Sequence, residues 1–333
     1  MSPIFIFGCP RSGTTLLRDL LHAHPHLAFP TESHFIPVFS QAYGDPANAR
    51  EARRLAARIL RLYWVRLWDV GLKPDDFSHC RSYREILSHL YQTYARRQNK
   101  IRWGDKTPQY VTQIPELHAV FPDGKFIHLY RDGRDVVLSW LSLKSGPRNL
   151  FTIAETWKHS VSLGRRDGAT LPPGAYLEVR YETLVAHPEE TLQRICDFIG
   201  EPFDPTVFTR AVLRRNQRRP WFGKRDFGIL DTQIVPDNVE KWKGRMSKSQ
   251  QVLFESVAGD LLQELGYETT GVTRHLSRAE RVMWRLHFYW GWILDRINTR
   301  DLLQWTANFG SMTAARVRYL WHANKRAADA ENR

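Results

Sequence analysis

The chain has 333 residues, enough to bury one large α/β core or two small ones. Its 42% hydrophobic content and mixed charges exclude a disordered chain, and 48 Lys and Arg against 35 Asp and Glu leave a net charge of +13. That balance favours anionic ligands, nucleic acid or an anionic membrane surface, although no zinc-finger or RNA-recognition signature accompanies the Arg-rich runs.

The run Ile4-Phe5-Ile6-Phe7 reads as a strand that ends in a turn bounded by Gly8 and Gly13. Thr14-Thr15-Leu16-Leu17 then opens an apolar helix to about His22. A strand feeding a tight loop and a helix N-terminus aims several backbone N–H groups, and the positive helix end, at one point: a phosphate cradle. The Gly8-to-Gly13 spacing matches the first half of the nucleotide-binding P-loop, but Thr14 stands where a kinase or ATPase carries its Lys. The cation has moved back to Arg11, whose fork suits a terminal phosphate or sulfate.

Leu27-Ala28-Phe29 predicts a short strand before Pro30-Thr31-Glu32. Asn48 to Leu72 predicts a helical insert, with Leu55, Ile59, Leu62 and Leu67 at helical spacing and Arg50, Arg53, Arg54, Arg58, Arg61 and Arg66 around them. It reads as a helix over the sheet or as a basic wall above a cleft. Ser82 to Arg97 predicts a helix, and Lys100 to Trp103 a strand ending at Gly104-Asp105-Lys106-Thr107-Pro108. A strand over Lys125–Tyr130, a helix over Arg134–Leu143, a strand over Ala175–Val179 and a helix over Pro188–Ile199 stopped by Gly200 follow. Glu201 to Ser247 reads as a long loop dense in Arg and Lys, the length of a functional lid. A helix over Gln250–Leu265 ends at Gly266.

This alternation predicts an α/β fold, a parallel sheet with helices on both faces. From Ser277 to Ile297 the character changes: Val282, Leu286, Tyr289 or Trp290, Ile293 and Ile297 make one apolar stripe flanked by Arg278, Arg281, Arg285 and Arg296. Leu302, Leu303, Trp305, Phe309, Val317, Leu320 and Trp321 extend it. Such a stripe suits an interfacial helix on an anionic membrane, or a dimer or packing face. The chain therefore divides into a main domain over 1–270 and an amphipathic helical extension over 275–333.

Cys9, Cys80 and Cys196 are widely spaced without a C-x-x-C, which argues against a disulfide framework or zinc site and for reduced thiols in a cytoplasmic protein. The first strand begins almost at Met1, which leaves no room for a signal peptide. No uncharged apolar run of about eighteen residues predicts a spanning helix. His22, His24 and His26 alternate, but Pro25 interrupts them, and a surface turn is expected there rather than a metal site.

Two segments together are more specific. Arg11-Ser12-Gly13-Thr14-Thr15, and the strand Lys125–Tyr130 followed by Arg131-Asp132-Gly133-Arg134-Asp135-Val136-Val137-Leu138-Ser139, resemble the two co-substrate motifs of the PAPS-dependent sulfotransferases. The run Pro10 to Arg18, then His24-Pro25, Thr31-Glu32-Ser33, and Val179 to Leu184 with His187-Pro188, is similar to the tyrosylprotein sulfotransferase branch and its bacterial relatives. The resemblance runs from about Ile4 to about Gly266. It implies a P-loop-like fold that takes PAPS (3′-phosphoadenosine 5′-phosphosulfate) as co-substrate and releases PAP, with no metal required.

The resemblance also implies roles for residues. Arg11 and the amides of Ser12, Gly13, Thr14 and Thr15 would hold the 5′-phosphosulfate, Arg131 and Ser139 the 3′-phosphate, and Tyr181 the nucleotide. Glu32 would be the base that takes the acceptor proton, with His34 the second choice, and Lys106 would stabilise the leaving bridge oxygen. Two departures stand out. The family's Arg four residues after Ser139 is replaced by Leu143, which leaves Lys241, Lys243 or Arg245 to supply that charge. The family's late Ser has no clear counterpart around Phe227 to Gln233, and Thr232 is given no role. Eukaryotic members of the tyrosylprotein branch carry a membrane anchor, which is not expected in this chain.

The expected activity is sulfuryl transfer to a hydroxyl on a small molecule, lipid, glycan or peptide tyrosine, in the cytoplasm or peripherally at the inner membrane face, with no nucleic-acid partner. The C-terminal helices would serve membrane contact or a homodimer. The competing readings are a P-loop kinase using ATP and a non-catalytic basic protein that binds membrane or nucleic acid.

Overall fold

A computed structural model describes residues 2–143, 149–211 and 238–297, with side chains to His287. The strands are β1 (Ile4–Phe7), β2 (Leu27–Ala28), β3 (Arg102–Lys106), β4 (Lys125–Tyr130) and β5 (Tyr176–Arg180). They form one five-stranded sheet in the order β2-β3-β1-β4-β5. β2 runs parallel to β3 with Leu27 opposite Arg102, and β4 runs parallel to β5 from Phe126 opposite Tyr176 to Tyr130 opposite Arg180. The expected parallel α/β fold is therefore present. Among the described residues the chain forms two compact units divided within β1: residues 2–5 with 25–124, and residues 6–24 with 125–297.

In the first unit, α2 (Ile36–Tyr43), α3 (Ala49–Leu60), α4 (Tyr63–Arg66), α5 (Tyr83–Arg97) and α6 (Ile114–Val120) surround β2 and β3. Asn48 caps α3 by accepting from the Glu51 amide, and Ala52, Leu55, Ala56 and Ile59 form its buried stripe. The expected single helix over Asn48–Leu72 is broken. Leu62 takes an extended conformation and is buried, and the turn lets Trp68 reach Thr31 Oγ1 at 2.9 Å and sets the Trp64 ring 5.3 Å from that of His34. The insert's arginines are exposed; its aromatic end meets the loop that carries Glu32.

β3 also differs from expectation, beginning two residues later and running through Lys106. Gly104 and Asp105 are poor strand formers, but a Cβ at Gly104 would overlap the Phe29 ring, so tertiary packing selects glycine there.

The second unit holds α1 (Thr14–Ala23), α7 (Gly133–Leu141), α8 (Leu150–Gly168), α9 (Tyr181–Ala186), α10 (Pro188–Ile199), α11 (Lys241–Arg245), α12 (Lys248–Glu264) and α13 (Arg278–Ile297). Its core gathers Val136, Val137, Ile153, Trp157, Trp242, Phe254 and Leu262 from α7, α8, α11 and α12. The 19-residue α8 has no counterpart among the expected elements: its Thr, Ser and Gly content conceals a helix that Asn149 caps and Trp157 anchors.

Gly200 adopts the left-handed cap expected after α10. The expected loop from Glu201 to Ser247 is regular at both described ends, with residues 207–211 helical and α11 following. Thr232, the rest of the Phe227–Gln233 stretch and the apolar residues from Leu302 to Trp321 lie outside the described residues. The His22–His26 segment is not a surface turn: His22 and His24 are buried, and the His24 ring pairs through Nε2 with the Pro202 carbonyl at 2.8 Å. No helix among the described residues is long and apolar enough to cross a membrane.

Candidate active site

The cradle belongs to the second unit. After Phe7 the chain turns, with the Ser12 amide donating to the Cys9 carbonyl at 3.1 Å, and α1 starts at Thr14. Gly13 has φ 98°, and a Cβ there would overlap the Tyr181 ring, so the loop needs glycine for backbone and space alike. Arg11 is also left-handed, at φ 74°, a costly conformation for a residue with a Cβ and one that concentrates at functional sites. Its Nε donates to Ser139 Oγ of α7 at 3.1 Å, so the structure joins Ser139 to Arg11.

Arg131 leaves β4 with its guanidinium 4.3 Å over the Tyr181 ring, held by Asp135 at 3.4 Å and by the Asn238 carbonyl. Asn238 Nδ2 also donates to Tyr181 Oη at 2.7 Å, and the fully buried Trp157 donates its indole N–H to the Arg131 carbonyl at 2.9 Å. Thus Arg131, Tyr181 and the start of the 238–245 segment form one cluster. Of the three cations offered by that segment, Lys243 is engaged by Glu240 and Glu268 at 3.1 and 3.0 Å. Lys241 is half-buried at the start of α11, and Arg245 is exposed.

Two features of this cluster point to an anion. Burial first, and then the like charge of Arg131, lower the pKa of Arg11. Ser12 Oγ and Arg131 Nε are buried without a hydrogen-bond partner. Buried polar atoms are nearly always satisfied in folded proteins, so adjacent guanidinium groups with unsatisfied donors suit the oxygens of a phosphate or sulfate.

The second group of candidates lies wholly in the first unit. Lys106, the last residue of β3, forms an ion pair with Glu32, and His34 Nε2 lies 3.0 Å from the other Glu32 oxygen. Lys106 is buried, whereas the Glu32 side chain is 31% exposed and reachable. Burial alone would raise the Glu32 pKa; the His34 hydrogen bond and the Lys106 cation overcome it and hold the carboxyl at about 2. His34 too is left-handed, at φ 59°.

Residues to which the sequence reading assigned no role hold this pair in place. The Ser33 amide donates to Thr107 Oγ1 at 3.1 Å, and Thr107 Oγ1 donates to Asp105 Oδ1 at 2.7 Å. Tyr91 Oη donates to Asp105 Oδ2 at 2.6 Å, while Tyr110 Oη lies 2.7 Å from Ser33 Oγ and accepts from the Ile36 amide. Ser33 sits between Glu32 and His34, and Asp105 and Thr107 flank Lys106, so this buried clamp ties the two loops together. Only the quoted runs Thr31-Glu32-Ser33 and Gly104-Asp105-Lys106-Thr107-Pro108 hinted at it.

Thr107→Val would strand the buried Ser33 amide, a loss of about 1–3 kcal/mol, and would also take one hydrogen bond from the Asp105 carboxylate. The urea unfolding midpoint should therefore fall clearly for Thr107→Val and only slightly for Thr107→Ser. Equal shifts for the two variants would show that the hydroxyl is not what matters.

Comparisons with known proteins bear on the same segments. A family model described as the sulfotransferase family matches residues 3–205. The nodulation protein NoeE of Sinorhizobium fredii is 28% identical over 293 residues, covering 79% of this chain and 65% of its own length. Protein-tyrosine sulfotransferase A of Caenorhabditis elegans is 27% identical over 277 residues, covering 80% and 67%. The chain thus spans about two thirds of the length of these relatives. Among solved structures, the sulfotransferase domain of the Synechococcus PCC 7002 olefin synthase superposes with a TM-score of 0.56 at 24% identity, over 80% of this chain and 95% of that one. The sulfotransferase domain from the curacin biosynthetic pathway gives 0.54 at 21% identity, over 80% and 98%. The likeness to the two structures establishes the fold, and the family match, which spans more than half of the sequence and includes Arg11, Glu32, Lys106, Arg131 and Ser139, establishes that this chain belongs to the sulfotransferase family.

Proposed function

We propose that the protein transfers the sulfuryl group of PAPS to a hydroxyl acceptor, with residues 1–270 as the catalytic domain. The observation that carries this reading is the pairing of Arg11 with Arg131 around the unsatisfied donors Ser12 Oγ and Arg131 Nε. Thr14, in place of the P-loop Lys, disfavours the competing ATP-dependent kinase. In this reading Arg11 and the amides of Ser12 to Thr15 hold the 5′-phosphosulfate. Arg131 and Ser139, with Lys241 in reserve for the missing basic side chain at Leu143, serve the 3′-phosphate, and Tyr181 lies along the nucleotide.

The donor supplies an activated sulfuryl group. The acceptor oxygen forms a bond to sulfur, the bond from sulfur to the bridging oxygen breaks, and the acceptor proton passes to Glu32. Lys106 neutralises charge on the departing bridge oxygen. In the free protein this ammonium is committed to Glu32. Engagement of Lys106 by the donor would free the carboxylate to act as a base. The relatives' names include protein tyrosine among acceptors, and the reading extends to hydroxyls of small molecules, lipids and glycans. The contact between His34 and Glu32 supports a second reading, in which His34 is the base.

PAP should raise the thermal midpoint well above the shift produced by AMP or ATP, because only PAP fills both phosphate sites. A ligand that binds the native state alone contributes about 2.7 kcal/mol at a hundredfold excess over its dissociation constant. Equal shifts from AMP and PAP would remove the 3′-phosphate site, and a larger shift from ATP would favour the kinase.

A further inference from the structure

Five large apolar side chains are exposed among the described residues, and three of them lie close together on α13: Val282 at 53%, Met283 at 58% and Leu286 at 64%. Other positions of this helix are tied to the second unit. Asn149 Nδ2, at the cap of α8, donates to the Trp284 carbonyl at 2.7 Å, and Arg285 bridges both carboxylate oxygens of Glu155 at 3.2 and 2.7 Å. The helix is thus held firmly against the second unit while an apolar patch faces water, with Arg278 and Arg281 exposed beside it.

A second copy of the chain is a poor occupant for this patch. A two-fold interface sets the same surface against itself, which would bring two patches that each carry Arg278 and Arg281 together in a protein of net charge +13. An anionic phospholipid surface suits this combination, since headgroup phosphates neutralise arginines while the acyl boundary takes up apolar side chains. No described helix is long and apolar enough to cross a membrane, so the contact would lie in the plane of the surface. We propose that the first turns of α13 bind an anionic phospholipid surface, with Val282, Met283 and Leu286 at the acyl boundary and Arg278 and Arg281 at the phosphates. The inference does not depend on the sulfotransferase reading and is tested without activity.

The test is flotation of the full chain with phosphatidylcholine vesicles and with vesicles that also carry phosphatidylglycerol. The protein should float with the anionic vesicles and not with the neutral ones, and added salt should weaken the association. Leu286→Glu, and separately Val282→Ser combined with Met283→Ser, should lower vesicle binding roughly tenfold or more while leaving the thermal midpoint and PAP binding unchanged. Wild type that stays soluble with both vesicles, or variants that float like wild type, would overturn the proposal. So would light scattering that shows a dimer dissociated by Leu286→Glu, which would assign the patch to a second copy.

Discussion

Replacing Glu32 by Gln should lower turnover on the order of a hundred to ten thousand fold, the usual cost of losing a general base, with little change in PAPS affinity. Gln keeps the shape of the side chain and removes the charge that accepts the proton. Lys106→Ala should be comparably severe, because it removes the cation at the bridge oxygen, and Lys106→Arg should recover only part of the loss. The measurement is transfer of radiolabelled sulfate from PAPS to a panel of phenols, sugars and lipid alcohols. Wild-type-like transfer by Glu32→Gln would remove Glu32 from the mechanism.

The pH profile separates the two candidate bases. With its carboxyl held at about 2 in the free protein, Glu32 is ionised throughout the neutral range, so kcat/KM for PAPS, which reports the free enzyme, should stay flat on the acid side from pH 8 to pH 5. An acid limb within that window would remove Glu32 as the base. The sign for stability follows from the same depressed pKa. The contribution of the Glu32 contacts, with His34 first and Lys106 second, is fully present above about 4.5 and is lost as pH falls toward 2.

Arg131→Ala should weaken PAP binding roughly ten- to a hundredfold, corresponding to about 1.5–3 kcal/mol for a hydrogen bond to a charged group, while Glu32→Gln leaves PAP binding nearly intact. The Arg131 side chain is buried between Tyr181 and Asp135 with its Nε unsatisfied. Removing it takes away both the charge and the donor that a phosphate would meet. Calorimetric titration of both variants with PAP distinguishes them. Loss of binding in Glu32→Gln would make that residue structural, and unchanged binding in Arg131→Ala would move the 3′-phosphate elsewhere.

The sequence by itself determined the glycine-bounded loop after the first strand and the succession of strands and helices that carry the motifs, because both depend on local rules. An apolar strand, a glycine-bounded turn and a helix opening at Thr14 define the loop within about a dozen residues, and the same reasoning located β4, Arg131 and the stop at Gly200. Capping residues such as Asn48 and Ser82 likewise placed helix starts within a residue. What depends on distant partners was not legible. The chain breaks at Leu62 because burying that side chain and sending Trp68 to Thr31 outweighs the helical periodicity of the insert. β3 extends through Gly104 and Asp105 because Phe29 crowds one and Tyr91 and Thr107 satisfy the other, so that Lys106 ends the strand instead of following it. The helix α8 was concealed by its own composition, yet its Trp157 holds the Arg131 carbonyl. The sequence also offered Glu32, His34 and Lys106 as separate candidates. Only the tertiary structure, through a buried Ser33–Thr107–Asp105 clamp spanning 74 residues of chain, brought the Lys106 ammonium and the His34 ring to opposite oxygens of one carboxylate and so held its pKa down. Periodicity and spacing report which face of an element is buried; hydrogen bonds and charge pairing between remote loops depend on where the fold sets them.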